Sequence, residues 1–143
     1  MRICRLADPP LRLDFMDIRP SHAKSTTVAI VDDDAAVLNA LSFALETEGY
    51  VVQSYRTAGA MFAALRSGTA DCLVIDQHLP DESGIDLLTR LRARGDRAPA
   101  VIITTNPART LRSQAEELSA PLVEKPLLDD QLFACIRALT RRQ

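Results

Sequence analysis

Tryptophan is absent from this chain, aromatic residues make up only 4% of it, and just two of its 17 basic residues, Lys24 and Lys125, are lysines. The scarcity of aromatics means that aliphatic side chains must fill the core. The three cysteines, Cys4, Cys72 and Cys135, are odd in number and have no CxxC spacing, which argues against a disulfide framework and fits a reducing cytoplasm. Cys72 and Cys135 fall in apolar periodic segments and read as buried thiols. No apolar run approaches the roughly 20 residues of a membrane helix, so no membrane association is expected. The arginines near the N-terminus are not followed by the continuous apolar stretch of a signal peptide. A formal net charge of −2 gives no general reason to expect a nucleic-acid partner.

What is present is enough chain for one domain: 143 residues, 47% of them hydrophobic. Charge is distributed unevenly. Residues 1–26 hold five Lys/Arg against three Asp/Glu, and the remainder holds 12 against 16. With Pro9, Pro10 and Pro20 and no sustained periodicity, residues 1–26 read as a flexible leader. A docking arm is the functional alternative, and Met16 offers a second start.

From Val28 onward, strand and helix patterns alternate. Asp34 is placed to cap a helix running to about Glu48, with Val37, Leu38, Leu41 and Leu45 on one stripe and Gly49 as its stop. Tyr50 to Tyr55 reads as a strand. Thr57 can cap a helix through Met61, Phe62 and Leu65, in a unit ended by Gly68. Asp71 to Asp76 is the next strand, and Leu79 to Gly84 is a loop. Ile85, Leu88 and Leu91 stripe a third helix ending near Gly95. Ala100 to Thr104 is a strand, 107–118 a weaker helix, and Leu122 to Glu124 a short strand. Asp129 or Asp130 opens a last helix carrying Leu132, Ile136 and Leu139. Five strands alternating with five helices imply a parallel sheet covered on both faces. The flavodoxin-like strand order 2-1-3-4-5 fits best, with its switch point between the first and third strands.

Four of the apolar runs end in functional side chains. Val28-Ala29-Ile30-Val31 leads into Asp32-Asp33-Asp34, and Cys72-Leu73-Val74-Ile75 into Asp76. Val101-Ile102-Ile103 leads into Thr104, and Leu122-Val123-Glu124 into Lys125-Pro126. In open α/β sheets, ligands bind beyond the carboxyl ends of the strands. Each piece alone has a bland reading: an acidic triplet is a solvated turn with a cap, and a threonine is a β-branched strand residue. Together, at alternating spacing, they bring three carboxylates, a hydroxyl and an ammonium to one edge. Crowded carboxylates repel one another unless a cation compensates them. Oxygen donors without a His/Cys cluster favour Mg²⁺ or Mn²⁺ over zinc. A carboxylate beside that cation can attack a phosphoryl donor to give an acyl phosphate. Positive charge is then needed on the phosphoryl oxygens more than a strong base is. Lys125 supplies a point charge, Thr104 a hydroxyl and the backbone N–H of Thr105 a further donor. In a chain that otherwise uses arginine, the one lysine after the leader is notable, because a forked guanidinium does not replace an ammonium in a tight phosphate site.

This ordered set resembles the receiver domain of bacterial two-component response regulators. The matching motifs are Val28 to Asp34, Leu73 to Asp76, Leu79-Pro80 followed by Gly84, Pro99 to Thr104, and Lys125-Pro126. The resemblance implies a flavodoxin-like (βα)5 domain over residues 27–143, with Asp76 as phosphoacceptor. It implies Mg²⁺ bound by Asp33, Asp76 and the backbone carbonyl of His78, with Asp32 acting through water. Thr104 is implied as the switch hydroxyl, with Lys125 as the ion-pair partner of the phosphoryl group. The implied partners are a sensor histidine kinase or histidine phosphotransfer protein and an unidentified downstream protein, and the family's readout face also allows dimerisation. No turnover of a separate substrate is expected. Gln143 follows closely on the last helix, so output by protein contact, phosphate shuttling or a phosphate sink is expected. His78 and Asn106 flank the entry path of a hydrolytic water and are expected to tune the lifetime of the acyl phosphate.

Three features depart from the family pattern. Leu122 replaces the usual switch aromatic, Thr105 the usual small residue, and Glu117-Leu118-Ser119-Ala120-Pro121 the usual Ala-Gly-Ala segment. They motivate one alternative, a receiver-like protein-binding module that works without phosphorylation. A phosphohydrolase is disfavoured, since the residue two after Asp76 is His78 and not a second aspartate.

Overall fold

Long aliphatic stretches form the sheet, and polar caps start the first three helices. The computed structural model describes residues 25–66, 69–125, 127 and 130–141. Strand β1 (Thr27–Val31), helix α1 (Ala35–Thr47), β2 (Val51–Tyr55) and α2 (Ala58–Ala64) come first. They are followed by β3 (Cys72–Asp76), α3 (Gly84–Ala93), β4 (Ala100–Thr104), α4 (Arg109–Glu117), β5 (Leu122–Glu124) and α5 (Gln131–Arg141). The five strands are all parallel, in the order β2-β1-β3-β4-β5. This is the expected topology, and the crevice it predicts lies between β1 and β3. The leader through Lys24, the stop at Gly68, Pro126 and the helix start at Asp129 lie outside the described residues. Thr26, assigned above to the leader, already accepts from the Val51 N–H at 2.9 Å.

Alternate residues of the inner strands feed two cores. Ala29, Val31, Leu73, Ile75 and Ile102 face α2, α3 and α4, where Met61, Leu88 and Leu91 meet them. Val28, Ile30, Val74, Val101 and Ile103 face α1 and α5, where Leu38, Leu45 and Ile136 meet them. Strands covered on both faces have no polar side, and this is why the sequence runs apolar through them instead of alternating. Burying each Leu or Ile is worth about 1.5–3 kcal/mol, and this rigid floor holds the strand ends in place.

Helix starts follow the sequence closely. Asp34 accepts from Ala36 N at 2.9 Å and Val37 N at 3.4 Å, and Thr57 Oγ1 accepts from Ala60 N at 3.1 Å. Ser83 caps α3 through Asp86 N at 3.2 Å. Helix ends depart from it more. Tyr50 does not begin β2, because its N–H is spent closing α1 onto Leu45 O at 3.0 Å, beyond Gly49 at φ 100°. Helix α2 stops at Ala64: Leu65 turns extended and buries its side chain, while the Arg94 guanidinium takes the Phe62 and Leu65 carbonyls at 2.7 and 2.8 Å. Of the two described cysteines, Cys72 is buried and its thiol is pushed up to about 12 by burial, but Cys135 is only half-buried. Cys135 packs against the margin of the core beneath α1 and α5 and not within it.

Candidate functional site

The register sets the site. Val31 pairs with Ile75, Asp76 with Ile103, and Thr104 with Glu124. The residues just past these pairs therefore emerge side by side at one edge. Main-chain bonds extend the ladder beyond the strands: Asp32 N donates to Tyr55 O at 3.1 Å, Gln77 N to Ile103 O at 2.8 Å, and Lys125 N to Thr104 O at 2.8 Å.

Asp32, Asp33 and Asp76 each offer a carboxylate oxygen, and these oxygens lie within 4.8 Å of one another. Asp32 and Asp76 are buried and Asp33 is exposed, so the cluster is closed underneath and open on one side. Asp32 Oδ1 accepts from Asp34 N at 2.9 Å, which fixes the ring of the turn. Lys125 Nζ lies 3.2 Å from Asp32 Oδ2 and 3.3 Å from Asp76 Oδ1, bridging the two buried acids. Burial first, then the Asp32 charge, push the Asp76 carboxyl above the ordinary carboxylate range. Lys125 and the His78 backbone N–H act in the opposite direction without cancelling the rise. Burial works against the charge on Lys125 as well, but Asp32 and Asp76 outweigh it and hold the ammonium above the usual lysine value.

Thr104 is fully buried, and its Oγ1 has no hydrogen-bond partner among the described residues. A buried hydroxyl without a partner costs free energy, and here it lies at the carboxyl end of β4, beside the strand that carries Asp76. Thr105 is exposed and, with Lys125, lines the upper end of an open apolar groove of about 780 Å³ against α1. Asn106 is exposed. His78 is exposed and shares an open pocket of about 420 Å³ with Asp33, Gln77 and Asp81. Asp33 and the His78 segment thus meet on the open side of the acid cluster. Three oxygen ligands on a half-buried rim, with crowding that already raises one of their pKa values, suit a hard divalent cation that keeps part of its water shell.

The loop after β3 is held by contacts that the sequence analysis did not single out. Gln77 O accepts from Gly84 N, and Gln77 Oε1 from Ile85 N, both at 2.9 Å. A Cβ on Gly84 would meet Asp76 O at 2.5 Å and Ile75 Cγ2 at 2.8 Å, so only glycine lets α3 start this close to the acid. Arg56 Nε and Nη2 donate to Asp33 O at 3.2 and 3.0 Å. Asp81 accepts from Ala58 N and Gly59 N at 3.0 and 2.8 Å. No spacing signal marks Arg56 or Asp81, because each acts on a main-chain group of a distant loop.

Residues 28–137 match the family described as response regulator receiver domain. Among curated proteins, the chain is 35% identical over 116 residues to the transcriptional regulatory protein BasR of Escherichia coli strain K12, covering 80% of this chain and 52% of that one. It is 34% identical over 116 residues to the transcriptional regulatory protein FixJ of Bradyrhizobium diazoefficiens, covering 80% and 57%. The chain thus spans about half the length of these relatives. Among solved structures, full-length FixJ from B. japonicum superposes with a TM-score of 0.70 at 33% identity, covering 82% of this chain and 58% of that one. A CheY-like receiver domain protein from Methanospirillum hungatei JF-1 superposes with a TM-score of 0.78 at 25% identity, covering 83% and 96%. By sequence, strand order and fold, the chain belongs to the receiver domain family of two-component response regulators.

Proposed function

We propose that Asp76 is the phosphoacceptor of this receiver domain and that the site works with Mg²⁺, or Mn²⁺ in its place. The observation that carries this reading is the Lys125 ammonium bridging Asp32 and Asp76 beside the unpartnered Thr104 hydroxyl. Asp33, Asp76 and the His78 carbonyl would hold the cation directly, and Asp32 through water. When bound, the cation would cancel carboxylate repulsion and neutralise charge on the phosphoryl oxygens.

The chain's own groups perform the rest. An Asp76 carboxylate oxygen attacks the phosphorus of a phosphohistidine, the P–N bond breaks, and the imidazole leaves with its electron pair. Lys125 is already within reach and turns from carboxylate to phosphoryl oxygen, while Thr104 Oγ–H and Thr105 N–H donate to the remaining oxygens. The phosphoryl group is accepted by the domain's own Asp76 and later lost as phosphate, so this reading involves no separate substrate. His78 and Asn106, both exposed, would shape the approach of water and hence the lifetime of the adduct.

Response regulators of this family interact with histidine kinases. We take a sensor kinase or a histidine phosphotransfer protein as the donor and a protein contact as the output of this domain. BasR and FixJ are transcriptional regulatory proteins by name, so we propose the absence of nucleic-acid contact for the receiver fold alone. No helix among the described residues is long and apolar enough to cross a membrane, and a cytoplasmic site of action fits the phosphohistidine donor. Leu122, half-buried against the α2–α3–α4 core where the family carries an aromatic, favours one second reading, a binding module that works without phosphorylation.

One experiment separates the two readings. Intact mass is measured after incubation with a small phosphodonor and Mg²⁺, for wild type and Asp76→Asn. A labile phosphoryl adduct on the wild type alone supports the switch. No adduct on the wild type leaves the phosphorylation-independent module.

A further inference from the structure

Arg56 lies just past the end of β2 and reaches 23 residues back along the chain to a main-chain oxygen. Its Nε and Nη2 both donate to the Asp33 carbonyl, at 3.2 and 3.0 Å. One residue earlier, Asp32 N donates to Tyr55 O at 3.1 Å. The β1–β2 pairing is therefore carried one step beyond the strands by the backbone, and a second step by a side chain. Immediately after Arg56, Thr57 caps α2, and the first two α2 amides, Ala58 N and Gly59 N, donate to Asp81 Oδ1 and Oδ2 at 3.0 and 2.8 Å. The five residues 55–59 thus fasten the β1–α1 loop on one side and the β3–α3 loop on the other. Those loops carry Asp33 and His78, which share one open pocket.

We propose that Arg56 is a positioning residue for divalent-cation binding. It fixes the Asp33 main chain so that the one exposed carboxylate of the cluster converges on Asp32 and Asp76. The proposal rests on the reading that these three acids hold Mg²⁺. Its chemistry runs against simple electrostatics. A guanidinium bonded to the main chain of one of these acids still competes with a dication for the field of the cluster, so on charge alone removing it tightens Mg²⁺ binding. A positioning role predicts the reverse, because a ligand whose main chain is released must be reordered each time the cation binds. The sign of the change separates the two.

The test is a calorimetric Mg²⁺ titration of the full chain at fixed ionic strength for wild type, Arg56→Ala, Arg56→Lys and Asp76→Asn, with thermal melts in metal-free buffer as the folding control. The expected result is an Mg²⁺ Kd raised on the order of tenfold in Arg56→Ala, with part of that recovered in Arg56→Lys, whose ammonium can still donate to the Asp33 carbonyl. An unchanged or lower Kd in Arg56→Ala, beside normal wild-type binding lost in Asp76→Asn, overturns the positioning role and leaves the cation site standing. If Arg56→Ala melts early, the titration is repeated at a temperature at which both it and wild type are folded, and an unchanged or lower Kd there still refutes the positioning role. No saturable binding by wild type overturns the cation site and this proposal together.

Discussion

The Cα of Gly84 sits so close to the Asp76 carbonyl that a Cβ there would approach its oxygen to 2.5 Å. The acid at the end of β3 and the first residue of α3 are thus packed main chain to main chain, with the seven residues between them folded back into a loop. Gly84→Ala must push α3 outward or shift Asp76. The variant is expected to lose about 1–3 kcal/mol of stability, by urea denaturation, and to accept a phosphoryl group more slowly than wild type at matched folded fraction. Wild-type stability in this variant would show that the approach is not constrained.

Asp76→Asn is expected to do the opposite to stability. Burial and the neighbouring Asp32 charge raise the Asp76 pKa in the fold above its value in the unfolded chain. The folded state therefore binds the proton more tightly. Stability falls as pH rises from the ordinary carboxylate value through the raised one, and the cost is fully present above the raised value. In metal-free buffer above that raised value, Asp76→Asn should be more stable by about 1 kcal/mol and should lose that part of the pH dependence. A destabilised variant with an unchanged pH profile would contradict the electrostatic account.

Asp81 titrates in the other sense. The Gly59 and then the Ala58 amide hold its carboxyl below the usual range. Its contribution to anchoring α2 is therefore present above the ordinary carboxylate pKa and is lost as pH falls through the lowered folded value. Hydrogen exchange at Ala58 and Gly59 should be faster in Asp81→Asn than in wild type at neutral pH, and the difference should vanish in acid. Equal exchange rates at neutral pH would remove Asp81 as the anchor.

Ser119 follows α4 with φ 56°, the one non-glycine left-handed residue among those described. Its N–H reaches Glu116 O at 3.0 Å, and the next amide, on Ala120, closes onto Ala115 O at 2.8 Å. The helix thus ends on a turn whose conformation glycine adopts without steric cost. Ser119→Gly should stabilise the domain by about 0.5–1 kcal/mol, read as a raised denaturation midpoint with an unchanged slope.

The elements legible in the sequence are those governed by local rules. Val28 to Val31 and Val101 to Ile103 are aliphatic because both faces are covered, and Asp34 and Thr57 cap because each stands before an amphipathic run. The family likeness assigned roles to Asp32, Asp33, Asp76, Thr104 and Lys125, and the strand register brings them to one edge. The features that escaped notice depend on groups distant in sequence or on the main chain. The end of α2 at Leu65 depends on an arginine in another helix. The N–H of Tyr50 closes a helix instead of opening a strand. Cys135 stands on an apolar stripe but packs at the core margin. Arg56 and Asp81 act on carbonyl and amide groups, which carry no residue-type signature for sequence spacing to reveal.

The buried Thr104 hydroxyl has a consequence for how such a domain holds its resting state. A donor sealed from water with nothing to bond among the described residues raises the free energy of that state by roughly 1–3 kcal/mol. That is comparable to the few kcal/mol that separate the conformers of a two-state protein. An anionic oxygen arriving within reach of that hydroxyl would be met by a group already desolvated, so its binding would draw on a penalty removed as well as on contacts newly formed.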